Sequence, residues 1–243
     1  MLPNTFEDIL KGPCYVLNLD RCVKRWEISS ERIRSAGFTP ERRSSIDGMK
    51  ITNRIQKWID FGVNSDFIYG FDSDGQCCST LTHASTWEHI VQNNIPFASI
   101  FEDDILFHKD WKDLAAKFYE QTDKNIDIVF FGSQGAGTAQ NPMITSFPVF
   151  CVHAYMVTLE GAKKLLHALR TAPRLYIIDC FTIDLMHKGN NCPFTWQCWN
   201  ATMYHDPARH NSLECRNDGL VFQDEDFPSD IHCQAPADLE NNQ

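Results

Sequence analysis

The stretch FASIFEDDILFHKDW, residues 97–111, decides how this chain is read. An apolar run from Phe97 to Phe101 stops at three consecutive carboxylates, Glu102, Asp103 and Asp104. Apolar residues then resume at Ile105, Leu106 and Phe107. Like charges at that spacing repel, and a buried carboxylate without a partner is costly. The pattern therefore predicts a strand that ends at a crevice, with something positive facing the acids.

Working outward, residues 76–94 place Leu81, Ala84, Trp87, Ile90 and Val91 on one helical face, directly before the strand. Residues 108–121 do the same after it, with Trp111, Leu114, Ala115 and Phe118 turned inward. Short apolar runs at 13–19, 38–46, 126–132, 149–158 and 193–199 read as further strands. Residues 21–36, 52–61 and the segment after Thr158, a suitable N-cap, read as helices. The glycine-rich stretch 132–142 lacks the Lys-Ser/Thr of a phosphate-cradling loop and reads as a polar loop near the site. Strands alternating with helices imply an α/β fold, a mostly parallel sheet covered on both faces. In such sheets ligands bind beyond the carboxyl ends of strands, where the three acids stand.

Composition excludes several classes. With 43% hydrophobic and 22% charged residues the 243-residue chain has ordinary globular values. It contains no 18-residue apolar run, and MLPNTFEDILKG has no leader pattern, so a soluble cytoplasmic protein without a membrane span is expected. From Glu214 onward eight acids face one base, Arg216, which accounts for −7 of the net −10. Residues 214–243 therefore read as a solvated acidic tail behind a domain of residues 1–213. No concentrated basic face suggests nucleic acid. The ten cysteines include no Cys-x-x-Cys pair and read as reduced thiols.

Hard divalent cations prefer carboxylate oxygens, and Mg²⁺ or Mn²⁺ typically takes one or two of them together with phosphate oxygens. An acidic strand end suits a metal–diphosphate complex. It equally suits a helix N-terminus carrying acids toward its dipole.

Several motifs, in order from about residue 14 to 212, resemble glycosyltransferase family 25, the lipooligosaccharide and procollagen galactosyltransferase group. YVLNLDRCVKRWE resembles its opening strand and turn through Asn18, Asp20, Arg21, Arg25 and Trp26. SSIDG is similar to its Asp47-Gly48 turn, and GQCCSTLTHASTW keeps Gly75, Leu81, His83 and Trp87. SIFEDDI resembles its acidic metal motif, VHAYMVTLEGAKKLL its His-Ala-Tyr strand and the helix after it, and HDPARHNS a late segment. Cys78, Ser79 and Thr82 depart from the family's glycine, cysteine and serine, and Val23-Lys24 from its Pro-Asp.

The resemblance implies a single GT-A-type domain with a Rossmann-like nucleotide-binding half. It also implies a UDP-sugar donor, a glycan or glycoprotein acceptor, and inversion at the anomeric carbon. Residues 1–130 would bind the donor and 150–212 the acceptor. Asp103 and Asp104 become the metal–diphosphate residues for Mn²⁺ or Mg²⁺, completed by His205 or Asp206, with Glu102 behind them. Arg21 and Arg25, four residues apart, are candidates for nucleotide or phosphate contacts. Asn18 and Asp20 are candidates for base or ribose. Asp47 and His83 join the donor side by family position, and His153 and Asp184 the acceptor side. For the catalytic base, Asp206 is held back for the metal and Asp184 for a helical pairing with Lys188. That leaves Asp179, after the apolar run LYII, able to cap a helix and face the cleft. Two other readings share the acidic strand end: a metal-dependent phosphohydrolase, and a non-catalytic sugar-nucleotide-binding protein.

Overall fold

The computed structural model describes residues 1–64, 66–207, 218–224 and 226. In chain order the first half comprises α1 (Phe6–Lys11), β1 (Cys14–Asn18), α2 (Val23–Ser35), β2 (Pro40–Ser44), α3 (Arg54–Asp60), β3 (Ile68–Tyr69), α4 (Asp74–Gln92), β4 (Phe97–Glu102), β5 (Ile105–Phe107) and α5 (Trp111–Gln121). There follow β6 (Ile128–Gln134), β7 (Ile144–Thr145), β8 (Phe150–Thr158), α6 (Leu159–Arg170), β9 (Arg174–Leu175), α7 (Ile178–Met186), β10 (Trp196–Trp199) and β11 (Val221–Gln223).

Seven strands form one sheet in the order β2-β1-β4-β8-β6-β10-β7. β1 pairs in parallel with β2 and β4, and β6 with β10, so five of the strands point one way. β8 lies antiparallel between β4 and β6, and β7 antiparallel on the outer edge. The α/β sheet expected from the sequence is present, mostly parallel, with one reversed strand at its centre.

Side chains alternate across a strand, and both faces of this sheet are buried. Tyr15, Leu17, Ile100, Phe130 and Tyr155 pack on one side against α4, α6 and α7, with Trp58 and Trp87 filling the layer. Val16, Phe101, Phe131, Ala154 and Met156 pack on the other with Ile33, Trp111, Phe118 and Trp199. That two-sided burial explains why β1 is buried at all five positions and reads as a continuous apolar run. The eight described cysteines are all free thiols.

The expected tail boundary needs correcting. Residues 218–224 are part of the fold: Leu220, Val221 and Phe222 are fully buried, and β11 pairs antiparallel with β5. A Cβ on Gly132 would overlap the Val221 carbonyl and the His153 ring, so β6 needs a glycine there to let this segment lie against it. Net charge concealed a short apolar run, Leu220-Val221-Phe222, that the core requires. The rest of the expected tail lies outside the described residues.

Candidate functional site

The carboxyl ends of the parallel strands β1, β2 and β4 open on one cavity of about 150 Å³. Leu17, Leu19, Ser45 and Ile46 line it from the strand ends, and Gly75, Cys78, Ser79, Thr82 and His83 from the first turns of α4. Glu102, Asp103, Asp104 and Arg25 supply its charge. Gly48 lets the 45–48 segment press on α4: a Cβ there would stand 2.9 Å from the Gly75 nitrogen. The Ile46 amide donates to Thr82 Oγ1 at 3.0 Å and fixes the same contact.

The positive group that the acids demand is Arg25. Its Nη2 pairs closely with Asp103 Oδ1 and lies 3.4 Å from Asp104 Oδ2. Asn18 Nδ2 donates to the other Asp103 oxygen and to the Cys22 carbonyl at 3.1 Å, while Arg42 Nε donates to Asn18 Oδ1 at 2.8 Å. Asn18 and Arg25 therefore organise the acids, and Arg25 is committed to them in this structure. One arginine cannot balance three carboxylates, and Asp104 Oδ1 is buried with no hydrogen-bond partner. Burial first, then the neighbouring acids, raises both Glu102 and Asp104 above the ordinary carboxylate range. Burial also raises Asp103, against the pull of Arg25 and Asn18.

Behind the acids lies a second group. Glu102 shares the parity of Ile100 on β4 and so faces α4. Its Oε1 lies 3.2 Å from His83 Nε2. His83 Nδ1 is 3.0 Å from the Tyr155 hydroxyl, which also accepts from Trp87 Nε1 at 2.8 Å. His83 and Trp87 are one turn apart on α4, and Tyr155 reaches them from β8. Burial holds His83 down to about 4, so the ring is neutral near pH 7. Asp179 is close enough to feel both His83 and Glu102. Burial first, then Glu102, pushes it up to about 6, against a hydrogen bond from the Val152 amide at 3.0 Å.

The structure brings Asn18, Arg25, His83, Asp103 and Asp104 together, with Asn18 and Arg25, expected at the nucleotide, bonded to Asp103 instead, and with Arg21 and Asp47 (Nε–Oδ2 3.2 Å) and the exposed Asp20 outside them. Other expectations are corrected. Asp179 lies in the first turn of α7 without capping it; Ile177 is the N-cap, and the carboxylate serves Val152 on β8. Asp179 is also absent from the cavity lining. His153 is fully buried with Nε2 3.0 Å from the Val221 carbonyl, a core histidine that seats β11. Asp184 is exposed, meets the Tyr176 hydroxyl instead of Lys188, and lines a different groove between α6 and α7. Asp206 accepts from the Lys109 amide at 2.6 Å beside His108, and His205 is exposed, so neither joins Asp103 and Asp104. No metal-binding trio of His, Cys, Asp or Glu forms among the described residues. The sequence reading missed Tyr155 and underrated Glu102. The signal was available for Tyr155, because a buried tyrosine hydroxyl needs a partner and a His-x-x-x-Trp face offers two.

Residues 12–141 match the model of glycosyltransferase family 25 (LPS biosynthesis protein). A glycosyltransferase 25 family member of Drosophila melanogaster is 24% identical over 199 residues, covering 74% of this chain and 32% of that protein. A probable inactive glycosyltransferase 25 family member 3 of Bos taurus is 25% identical over 183 residues, covering 68% and 30%. The chain thus spans about a third of the length of these relatives. A solved glycosyltransferase involved in glycosylation of the major capsid of PBCV-1 is 10% identical, with a TM-score of 0.38 over 67% of this chain and 68% of that one. No described helix is long and apolar enough to cross a membrane.

Proposed function

The chain belongs to glycosyltransferase family 25, and we propose that it transfers a sugar from a UDP-sugar to a hydroxyl of a glycan or glycoprotein acceptor, with inversion. One observation carries this reading. The cavity lies where parallel strands deliver their carboxyl ends, and its floor is an acid cluster short of positive charge. A nucleotide diphosphate brought in with a cation would meet that deficit.

The residues fit Mn²⁺ or Mg²⁺ in part. Asp104 offers a buried oxygen with no partner, and Asp103 a second carboxylate, while a hard cation would take its remaining oxygens from the diphosphate. Such an ion would neutralise the leaving diphosphate. The protein's own groups do the rest. Arg25 and Asn18 hold the acids in register, and the α4 turns at Gly75–Ser79 wall the cavity. Asp179 lies behind Glu102 and outside the cavity lining, so to hand it a proton the acceptor hydroxyl would have to approach from the side of α7 and β8. With a pKa near 6 Asp179 is largely ionised at neutral pH yet more basic than an ordinary aspartate.

A second reading, nucleotide binding without transfer, is favoured by the relatives described as inactive. One experiment separates them. Thermal unfolding with UDP and UDP-sugars, with and without Mn²⁺, is expected to show Mn²⁺-dependent stabilisation. The same donors are expected to yield UDP and a glycosylated hydroxyl acceptor. Stabilisation without product selects the binding protein, and neither effect refutes both.

A further inference from the structure

Trp87, Tyr155 and His83 form a buried line of polar groups that ends on a cavity carboxylate. With Glu102 ionised, the hydrogen positions along it follow from donor chemistry. The Trp87 indole can only donate, so the Tyr155 oxygen accepts at 2.8 Å. The tyrosine's own hydrogen then goes to its other near neighbour, His83 Nδ1, at 3.0 Å. A neutral histidine that accepts at Nδ1 carries its hydrogen on Nε2, and that hydrogen faces Glu102 Oε1 at 3.2 Å. All three side chains are at most 2% exposed, so water does not offer alternative partners. Glu102, in contrast, keeps 25% of its side-chain surface accessible and lines the cavity.

We propose that the Trp87–Tyr155–His83 chain is a positioning device that locks His83 as the Nε2–H tautomer and thereby aims Glu102 into the cavity as a hydrogen-bond acceptor for a sugar hydroxyl. The chain joins β8, a sheet neighbour of β4, to α4 on one face of the sheet, so the carboxylate is held from outside its own strand. Glu102 is then the residue that touches the sugar, and the other three act through it. The charged groups nearest to this unit are Asp103, Asp104 and Arg25 on the cavity side and Asp179 from α7. The role rests on the glycosyltransferase reading; the tautomer does not.

The test uses the whole chain. Nitrogen NMR of ¹⁵N-histidine-labelled protein is expected to show His83 as a single neutral Nε2–H tautomer near pH 7.5. In Tyr155→Phe that signature is expected to give way to a mixture, with kcat for transfer lowered by ~10–100-fold and the KM for the UDP-sugar nearly unchanged. His83→Gln, whose amide can reach the Nε2 position and donate to Glu102, is expected to recover activity that His83→Ala loses. An Nδ1–H tautomer in the wild type overturns the chain outright. A wild-type kcat in folded Tyr155→Phe, or equal losses in His83→Gln and His83→Ala, overturns the positioning role alone. A wild type that turns over no sugar nucleotide overturns the functional reading and the role with it, while the NMR result still stands for the geometry.

Discussion

Asp104 and Asp206 lie near opposite ends of the short strand β5, Asp206 buried and Asp104 half-buried at the cavity wall, and the chain treats them differently. Asp206 is met by its own fold: the Lys109 amide donates to it at 2.6 Å and the His108 ring stands 3.6 Å away. Asp104 has Arg25 at 3.4 Å on one oxygen and no hydrogen-bond partner on the other, beside two more carboxylates. A buried carboxylate that receives backbone N–H groups is a structural part, since its charge is already compensated. One that the fold leaves incomplete at a cavity wall is open to compensation by a ligand, which is what the proposed function assigns to it. Sequence reading put both into one metal set; their surroundings separate them.

The contrast breaks most clearly under substitution. Asp104→Asn is expected to abolish measurable sugar transfer and Mn²⁺-dependent thermal stabilisation by UDP while leaving the fold intact, because the amide loses the charge that the cavity needs. Near-normal Mn²⁺-dependent transfer by this variant would remove the distinction. Asp179→Asn is expected to keep donor binding and to lower transfer by ~10²–10⁴-fold. A wild-type rate in the folded variant would move proton acceptance elsewhere. For Asp206→Ala the expected effect is on stability alone. The Lys109 amide loses its acceptor, which costs ~1–3 kcal/mol in urea unfolding, with the transfer rate of the folded protein unchanged.

The smallest effect is on the pH dependence of stability. Asp179 holds its proton more firmly folded, at about 6, than an unfolded aspartate does near 3.9. A raised carboxyl favours the folded state at low pH, and that contribution is lost as pH rises from about 4 through 6. Across that window the midpoint of thermal unfolding of Asp179→Asn is expected to fall less with rising pH, or rise more, than that of the wild type. Parallel curves would show that Asp179 is not a perturbed acid.

The gathered residues of the site were legible because they sit in local patterns. Asp103 and Asp104 interrupt an apolar run and Asn18 ends another, while His83, placed by family position, stands one helical turn from Trp87. The misplaced ones, His153, Asp184, His205 and Asp206, had only family position or a polar turn to recommend them. Their partners are distant: His153 meets Val221, and Asp206 meets Lys109, 97 residues away.

The sequence by itself determined the alternation of strands and helices, since periods of two and 3.6 are written in neighbouring residues. It also determined that a positive group must face the acids, because three adjacent carboxylates cannot lie buried alone. Which group that is, only the tertiary structure decided: Arg25 meets Asp103 across 78 residues of chain. The reversed direction of β8, the return of Val221–Gln223 into the fold and the line from Trp87 to Glu102 were likewise decided there. Each depends on pairings between distant segments, and such pairings are selected by total burial and by satisfied polar groups, quantities that no local period records.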